Sequence, residues 1–469
     1  MTSDKLKVII VGAGLGGCAA ALAMNHHGHD VVVYEKIRAF RRLGDSLGLG
    51  ENALKLLHRW QADGSSLYER LTSIGNSSEL MQIRRWHDGK LLAEQPLMDM
   101  AGRIGHRGDY HDAFLAGVRD AGIPLHMGRE VVAYEEPPAL TSEARTANTT
   151  NGTASAARRK VVVKFADGTT DEADLVVGAD GIKSRARELV LGFADAPRSS
   201  GYSCFRAYFP GKHLKEDPRC AGCREFVDRD CVNIWIGPDT HLVQNTLRDG
   251  EEFNWIVTRK IASKEREAEM LAGESWFQPG DMDEVRRCVA DLDPRIRAAV
   301  ETTEECLDWI ICYRDPLPTW VSAQSHQIAL LGDSCHAHLP TSAQGASQAT
   351  ESAGVLAECL SLCNGDIPLA TRTYEKLRFG RVRQSQTNGE DLRNRWHNAL
   401  KNIDDGVEID PESIKIRNRW LYAFDAEADT RERWAEVSAQ VAEELRAGKI
   451  TPLCDTQPER ISKGDGTSK

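Results

Sequence analysis

The stretch KVIIVGAGLGGCAAALAMNHHGHDVVVYE, residues 7–35, constrains the fold more than any other part of the chain. An apolar, β-branched run leads directly into Gly12, Gly14 and Gly17, spaced G-x-G-x-x-G. A small-residue helical segment follows and closes at Gly28, and a second β-branched run ends at Glu35. Runs apolar on both faces suit a buried parallel sheet, so the stretch reads as one strand–helix–strand unit. The first glycine permits a tight turn, the second lets backbone N–H groups approach a pyrophosphate, and the third lets the helix pack against the strand. The helix N-terminus adds its positive dipole end, and Glu35 is placed to accept both hydroxyls of a ribose. Glycine-rich turns also form for packing alone, but the full strand–turn–helix–strand–acid order favours a dinucleotide site. Lys36, next to the acid, joins the candidate set.

The 469 residues exceed one simple core and suggest two or three packed units. A net charge of −11 argues against nucleic acid or an anionic membrane as the main partner. No apolar run is long enough to span a bilayer, and the N-terminus lacks a signal-peptide pattern. The 12 cysteines show no framework spacing, so reduced thiols and a cytoplasmic location are expected. Cys220 and Cys223 form a CAGC pair that no second pair or nearby histidine completes as a zinc site.

Further along, residues 137–160 are rich in Pro, Ala, Thr, Ser and Asn and read as a surface loop. A hairpin with an Asp167-Gly168 turn and a buried strand follow. From about 200 to 260, short alternating segments suit an antiparallel meander with one buried face. On it, one of Asn233 and Trp235 is expected to face a cavity. Helical patterns occupy 284–305 and 349–446. Trp396, Trp420 and Trp434 are expected to pack on the core there, with a homodimer contact as the other reading. Residues 451–469 read as a disordered tail.

LLGDSCHAHLPTSAQGASQ, residues 330–348, sets two readings against each other. Cys335, His336 and His338 look like the start of a metal site, yet no third and fourth ligand stand at defined spacing. Gly332 and Asp333 with the later glycine turn look like a phosphate or ring cradle. DLVVGADGIKSRAR carries Asp180 and Gly181 at the end of a buried strand, and GHRGDYHDAFL puts Arg107 at a helix start. Together with the fingerprint and YRDPLPTW (313–320), these motifs resemble the single-component (group A) FAD-dependent aromatic hydroxylases, over about residues 7–375. The resemblance implies an α/β (α+β) fold: a discontinuous Rossmann-type FAD domain (1–76, 101–198, 285–375), an antiparallel β-sheet substrate domain (77–100, 199–284) and C-terminal helices (376–450). It implies FAD as cofactor, NAD(P)H and O2 as co-substrates, and the cradle rather than the metal for residues 330–348. His336 is then structural, Gly48 belongs to the cofactor site, and the backbone near Gly345, Ala346 and Ser347 faces the flavin ring, with the helix dipole beside it.

Such chemistry needs a substrate held over the ring, water excluded, and charge on the oxygenated product managed. The resemblance places Arg206, in SCFRAYF, near the substrate, and Asp45, in LGDSLGLGENAL, near the flavin. Asp45 is expected to orient Arg206 or the substrate, and Arg206 to donate to a developing oxyanion. An interdomain ion pair without catalytic role is the bland alternative. The chain looks most like the fungal salicylate-hydroxylase-like branch, which includes indole-alkaloid monooxygenases forming spiro-oxindoles. That implies an indole substrate epoxidised at its 2,3-bond, with phenol ortho-hydroxylation as runner-up. A flavin dehydrogenase that never inserts oxygen, or a redox-dependent interaction module, stays open from the residues alone.

Overall fold

The structure, a computed structural model, describes residues 5–40, 42, 46–97, 102–138, 159–272, 277–401 and 409–460. Strands Lys7–Val11, Asp30–Glu35, Leu125–Met127, Leu175–Gly178 and Ile328–Leu330 form a five-stranded parallel sheet. Lys7–Val11 lies between Asp30–Glu35 and Leu175–Gly178, so the chain leaves the first strand on one side and returns on the other. Open α/β sheets bind ligands at such a switch in strand order, outside the carboxyl ends.

Helices Leu15–His26, Glu51–Trp60, Arg107–Asp120 and Gly345–Leu362 cover one face, burying Leu22, Leu56, Phe114 and Leu356 with Val33 and Leu330 of the sheet. On the other face, strands Val131–Glu135, Val161–Phe165 and Thr170–Ala173 form an antiparallel layer whose Val163 and Phe165 pack on Ile9 and Val176. The continuous apolar runs Leu175–Val177 and Val8–Val11 are thus explained by cover on both sides.

The second sheet has eight strands, in the order Phe277–Pro279, Leu307–Tyr313, Arg198–Pro210, Glu252–Lys260, Thr240–Leu247, Cys231–Gly237, Leu80–Arg85 and Leu91–Pro96. Its outer face buries Phe205, Trp235, Phe253 and Trp255 under helices Met282–Cys288 and Pro294–Glu301. Its inner face presents Cys204, Ile234, Val243 and Ile256 toward Leu339, Leu392 and Trp396.

Several expectations change against this architecture. The boundary expected at 284 is misplaced, because residues 285–300 pack on the outer face and Leu307–Tyr313 pairs within the eight-stranded sheet. The boundary at 375 cuts a continuous helix, Ile367–Asn398. Residues 451–460 are not free: the Leu453 N–H donates to the Pro318 carbonyl (2.8 Å) and the Arg460 backbone pairs with that of Asp195 in an isolated antiparallel β-bridge. Residues 461–469, and 139–158 of the expected loop, lie outside the described residues. Neither Asn233 nor Trp235 faces inward. Two residues apart, they share the outer face, where the Trp235 indole donates to Asp293 (3.1 Å) and Asn233 donates to Gln244 (2.9 Å). Trp396 donates to the Ile414 carbonyl, Trp420 lies under Arg381, and Trp434 packs on the main core, so each indole is engaged within the chain. Among the described residues no helix is long and apolar enough to cross a membrane.

Three motif loops are tied by one buried ion triad. Asp195 accepts from Arg187 (2.8 and 3.0 Å) and from Arg314 (2.7 Å). Arg187, fully buried, also donates to the carbonyls of Ser334 (3.3 Å) and Asp315 (3.1 Å), and Arg314 to that of Ile182 (2.6 Å). Asp195→Ala strands two buried guanidinium groups and is expected to cost about 3–5 kcal/mol, read as a lower urea midpoint.

Candidate active site

The fingerprint turn sits at the switch point. Gly12 has φ +102°, and a Cβ there would lie 2.5 Å from the Ala179 carbonyl oxygen, which leads into Asp180. A Cβ on Gly17 would lie 1.9 Å from the Gly12 carbonyl oxygen, so helix and turn are in direct backbone contact. Gly14 differs: nothing lies within 4 Å of where its Cβ would stand, and no side chain caps the helix that begins beyond it. Open space in front of an uncapped helix N-terminus suits a pyrophosphate.

Glu35 is nearly buried, and its two oxygens accept from the N–H groups of Ala13 and Ile37, both at 2.8 Å. A carboxylate has about four acceptor positions, so capacity for ribose hydroxyls remains. Lys36 is exposed and makes no hydrogen bond or ion pair among the described residues. The Ala13 carbonyl meets Nε2 of His111 at 2.6 Å, and His111 packs edge-on to Phe40. His111 was not foreseen, because its partner lies almost a hundred residues away and the reading of GHRGDYHDAFL rested on Arg107 alone.

Asp180 accepts from the N–H groups of Arg185 (2.8 Å) and Ala186 (3.3 Å), while its Oδ1 is shielded and has no partner. Burial pushes its carboxyl above the usual range, opposed by Ser184 and the backbone donors. Gly332 heads the short helix Asp333–His336. Asp333 opens to solvent through the crevice, yet the protein enclosing it raises its carboxyl, opposed by the charge of Arg107. Arg107, exposed at the start of its helix, thus stands in electrostatic reach of Asp333.

Cys335, His336 and His338 do not converge. The Cys335 thiol meets the Gly332 carbonyl (3.5 Å), His336 meets Ser352 (3.0 Å), and the His336 and His338 rings stand 5.7 Å apart, edge to face. Among the described residues the one grouping compact enough for a metal ion is His27, Glu358 and Glu427, whose carboxylates are held by Arg59, Trp60 and Arg431. The helix Gly345–Leu362 starts without a side-chain cap, with Ala346 in its first turn. Its Ser347 accepts from the Gly50 N–H (3.0 Å), which joins it to the strand Ser46–Leu49 holding Gly48. Behind it, buried Glu351 accepts from Arg378 (2.7 Å), Arg381 (2.7 Å) and Asn52 (2.5 Å). The long helix closes on the loop at Gly389, where a Cβ would lie 2.8 Å from that of Ser342.

Arg206 lies on the inner face of the eight-stranded sheet, in the same cross-strand row as Ile256, Val243 and Ile234. Its guanidinium lies over the Trp309 ring at 3.6 Å, a partner not foreseen in the sequence because it sits on a strand expected elsewhere. Such stacking fixes the plane of the fork, leaving its donors directed along the wall. Asp45 lies outside the described residues. Its neighbour Ser46 accepts from Asn245 (2.8 Å) and Asn254 (3.4 Å) of the same sheet.

The open face of Gly14, the unpartnered Asp180 Oδ1 and the two uncapped helix starts fit an FAD laid across the switch point. Glu35 would hold the ribose end, Asp180, Arg107 and Asp333 the middle, and the Gly345–Leu362 N-terminus the ring. Gly14→Val is expected to fold with a near-native unfolding midpoint and to lose bound flavin. Gly17→Ala, by contrast, is expected to fail in folding itself. Thermal unfolding and flavin absorbance of the purified variants separate the two.

Comparison with known proteins agrees with this geometry. Residues 5–201 match the family model described as FAD binding domain. The chain is 32% identical to a 6-hydroxynicotinate 3-monooxygenase of Pseudomonas fluorescens over 84% of this chain and 92% of that one. It is 28% identical to asperlicin C monooxygenase of Petromyces alliaceus, over 94% and 90%. Among solved structures, CtdE in complex with FAD and a substrate superposes with a TM-score of 0.78 at 25% identity, covering 93% of this chain and all of that one. With a fingerprint built to receive FAD and a 32% identical relative spanning most of its length, the chain belongs to the FAD-dependent aromatic monooxygenases.

Proposed function

We propose that this enzyme inserts one oxygen atom into an electron-rich bicyclic aromatic substrate, an indole attacked at its 2,3-bond and rearranged to a spiro-oxindole. The observation that carries this reading is the inner wall of the eight-stranded sheet, where Arg206 stacks among apolar and aromatic groups. Tyr202, Cys204, Ile256, Trp309, Ile311 and Leu339 form one cluster there, and Arg206 lies on Trp309 within it. An uncharged, flat ring gains from that wall, and one cation suffices for the oxygen that becomes charged.

Bound FAD, reduced by NAD(P)H, supplies the activated oxygen. The chain's residues do the rest. The apolar wall excludes water and holds the ring, which strengthens every electrostatic contact inside. Arg206 donates to the oxygen arriving on the substrate, its fork already fixed by Trp309 so that little entropy is lost at that step. Asp45 acts as the acid partner that orients Arg206 or the substrate.

A phenolic reading has its own support. The relative named for 6-hydroxynicotinate acts on a ring that carries a hydroxyl and a carboxylate, and Arg206 could receive the carboxylate instead. Holoenzyme is given NAD(P)H and isotopically labelled O2 with indole and phenolic compounds in turn. The indole reading expects stimulated NAD(P)H oxidation and an indole product heavier by one labelled oxygen atom. Labelled product from phenols alone would establish the second reading, and oxidation without insertion on any ring would defeat both.

Arg206→Gln is expected to lower kcat about 100-fold with a smaller change in KM, the scale for losing one preorganised donor to a developing charge. Full turnover by that variant would remove Arg206 from the reaction.

A further inference from the structure

The long helix Ile367–Asn398 packs on the loop 339–346 through Gly389 and on the inner sheet face through Leu392 and Trp396, with Val382 in the main core. Beside that packed stripe runs a second one of the same spacing, Arg383, Gln386, Glu390 and Arg393. Helical geometry puts these four on one side of the helix. They line a cleft of about 380 Å³ whose opposite wall includes Tyr313 and Leu339. Leu339 and Tyr313 belong to the same cluster as Cys204, Ile256 and Trp309, so the cleft borders the cluster in which Arg206 is stacked.

The charges in this cleft are not spent on one another. Arg314, also in its lining, is fully engaged by Asp195 and Ile182. Arg383 donates to the Gln386 side-chain oxygen (2.6 Å), and Gln386 in turn donates to the Ala337 carbonyl (2.8 Å). Arg393 lies over the Tyr202 ring (4.6 Å) and donates to Asn394 (3.1 Å). Neither arginine forms an ion pair among the described residues, and neither does Glu390. Each guanidinium has five N–H donors, so both arginines keep donor capacity beyond these contacts. A half-buried helix side that carries two cationic donors, an anionic acceptor and no ion pair between them is suited to meet a polar group, whereas a packed one would be apolar.

From this we infer a distal substrate subsite: the cleft takes an amide-bearing arm attached to the aromatic ring, with Arg383 and Arg393 donating to its carbonyl oxygens and Glu390 accepting from its N–H. Two donors flanking one acceptor match an amide, which offers both functions, better than a carboxylate, which Glu390 would repel. The inference rests on the reading of the inner wall as the ring site. It makes the substrate a ring with an extension, and Arg383, Glu390 and Arg393 specificity-determining residues.

Four ligands test this on the full-length holoenzyme, each titrated while flavin absorbance is followed: 3-methylindole against N-acetyltryptophanamide, and 4-methylphenol against N-acetyltyrosinamide. In at least one ring pair the amide is expected to bind about tenfold or more tightly than its bare ring. That preference is expected to shrink to within about threefold in Arg383→Met and Arg393→Met, whose flavin content reports that they are folded. Glu390→Gln is expected to reduce it as well, without changing side-chain shape. Equal binding of bare and amide-bearing rings, a preference that survives both arginine substitutions, or no spectral response to any of the four overturns the subsite. The ring reading fails by a different sign: tight binding of an amide-bearing ligand with no labelled oxygen in any product.

Discussion

Asp195 between Arg187 and Arg314 is the constraint on which the rest of the site depends. The cofactor crevice is assembled from loops far apart in sequence, those after Leu175–Gly178, before Trp320 and after Ile328–Leu330. Each loop ends a strand of one sheet or the other, and strand pairing alone fixes where they start, not how they lie. Arg187 reaches the Ser334 and Asp315 carbonyls while Arg314 reaches that of Ile182, so one carboxylate sets the spacing of all three. A buried ion triad contributes little net stability against a well-packed apolar substitute, but removal of one member is costly. Its value here is geometric, since carbonyls and guanidinium forks accept few relative positions.

A second buried charge cluster does similar work on the far side of the ring site. Glu351 holds Arg378 and Arg381 of the long helix and Asn52 of the helix that follows Gly48. The flavin loop 339–346 is thereby trapped between that helix and the long one, whose approach at Gly389 leaves no room for a side chain. Ala343, at φ +49°, shows that the loop is held in a conformation an L-residue rarely takes alone. Rigid surroundings of this kind over-determine such a turn.

The parts of this site legible in the sequence are the local ones. Gly12, Gly14, Gly17 and Glu35 lie within one strand–helix–strand unit, so their spacing already encodes the turn, the open face and the packed face. Asp180 and Gly332 could be placed because each ends an apolar strand. What escaped was set by partners distant along the chain. Asn233 and Trp235 share a parity, but which face that parity looks toward depends on the helices 282–301 that cover the other side. LDWIICY reads equally well as a strand of either sheet, and its pairing with Arg198–Pro210 decides the matter. His111 and Trp309 acquire meaning only through Ala13 and Arg206, across separations that no periodicity reveals.

That division follows from the chemistry. A monooxygenase that borrows its reactive oxygen from a cofactor needs a strongly specified cradle, and a cradle for a fixed ligand can be written in short motifs. Substrate recognition has no such fixed ligand and is written instead on the surfaces opposite the cradle. On the readings proposed above, those are the inner sheet face, with Arg206 laid on a tryptophan, and the polar stripe of the long helix. Neither has a motif, since a sheet row is assembled from four strands and the stripe shares its helix with a packed one. On the readings proposed for this chain, its choice of substrate belongs to the row of Arg206 and the stripe of Arg383 to Arg393. The glycine turn, common to both pieces of chemistry, carries no information about them.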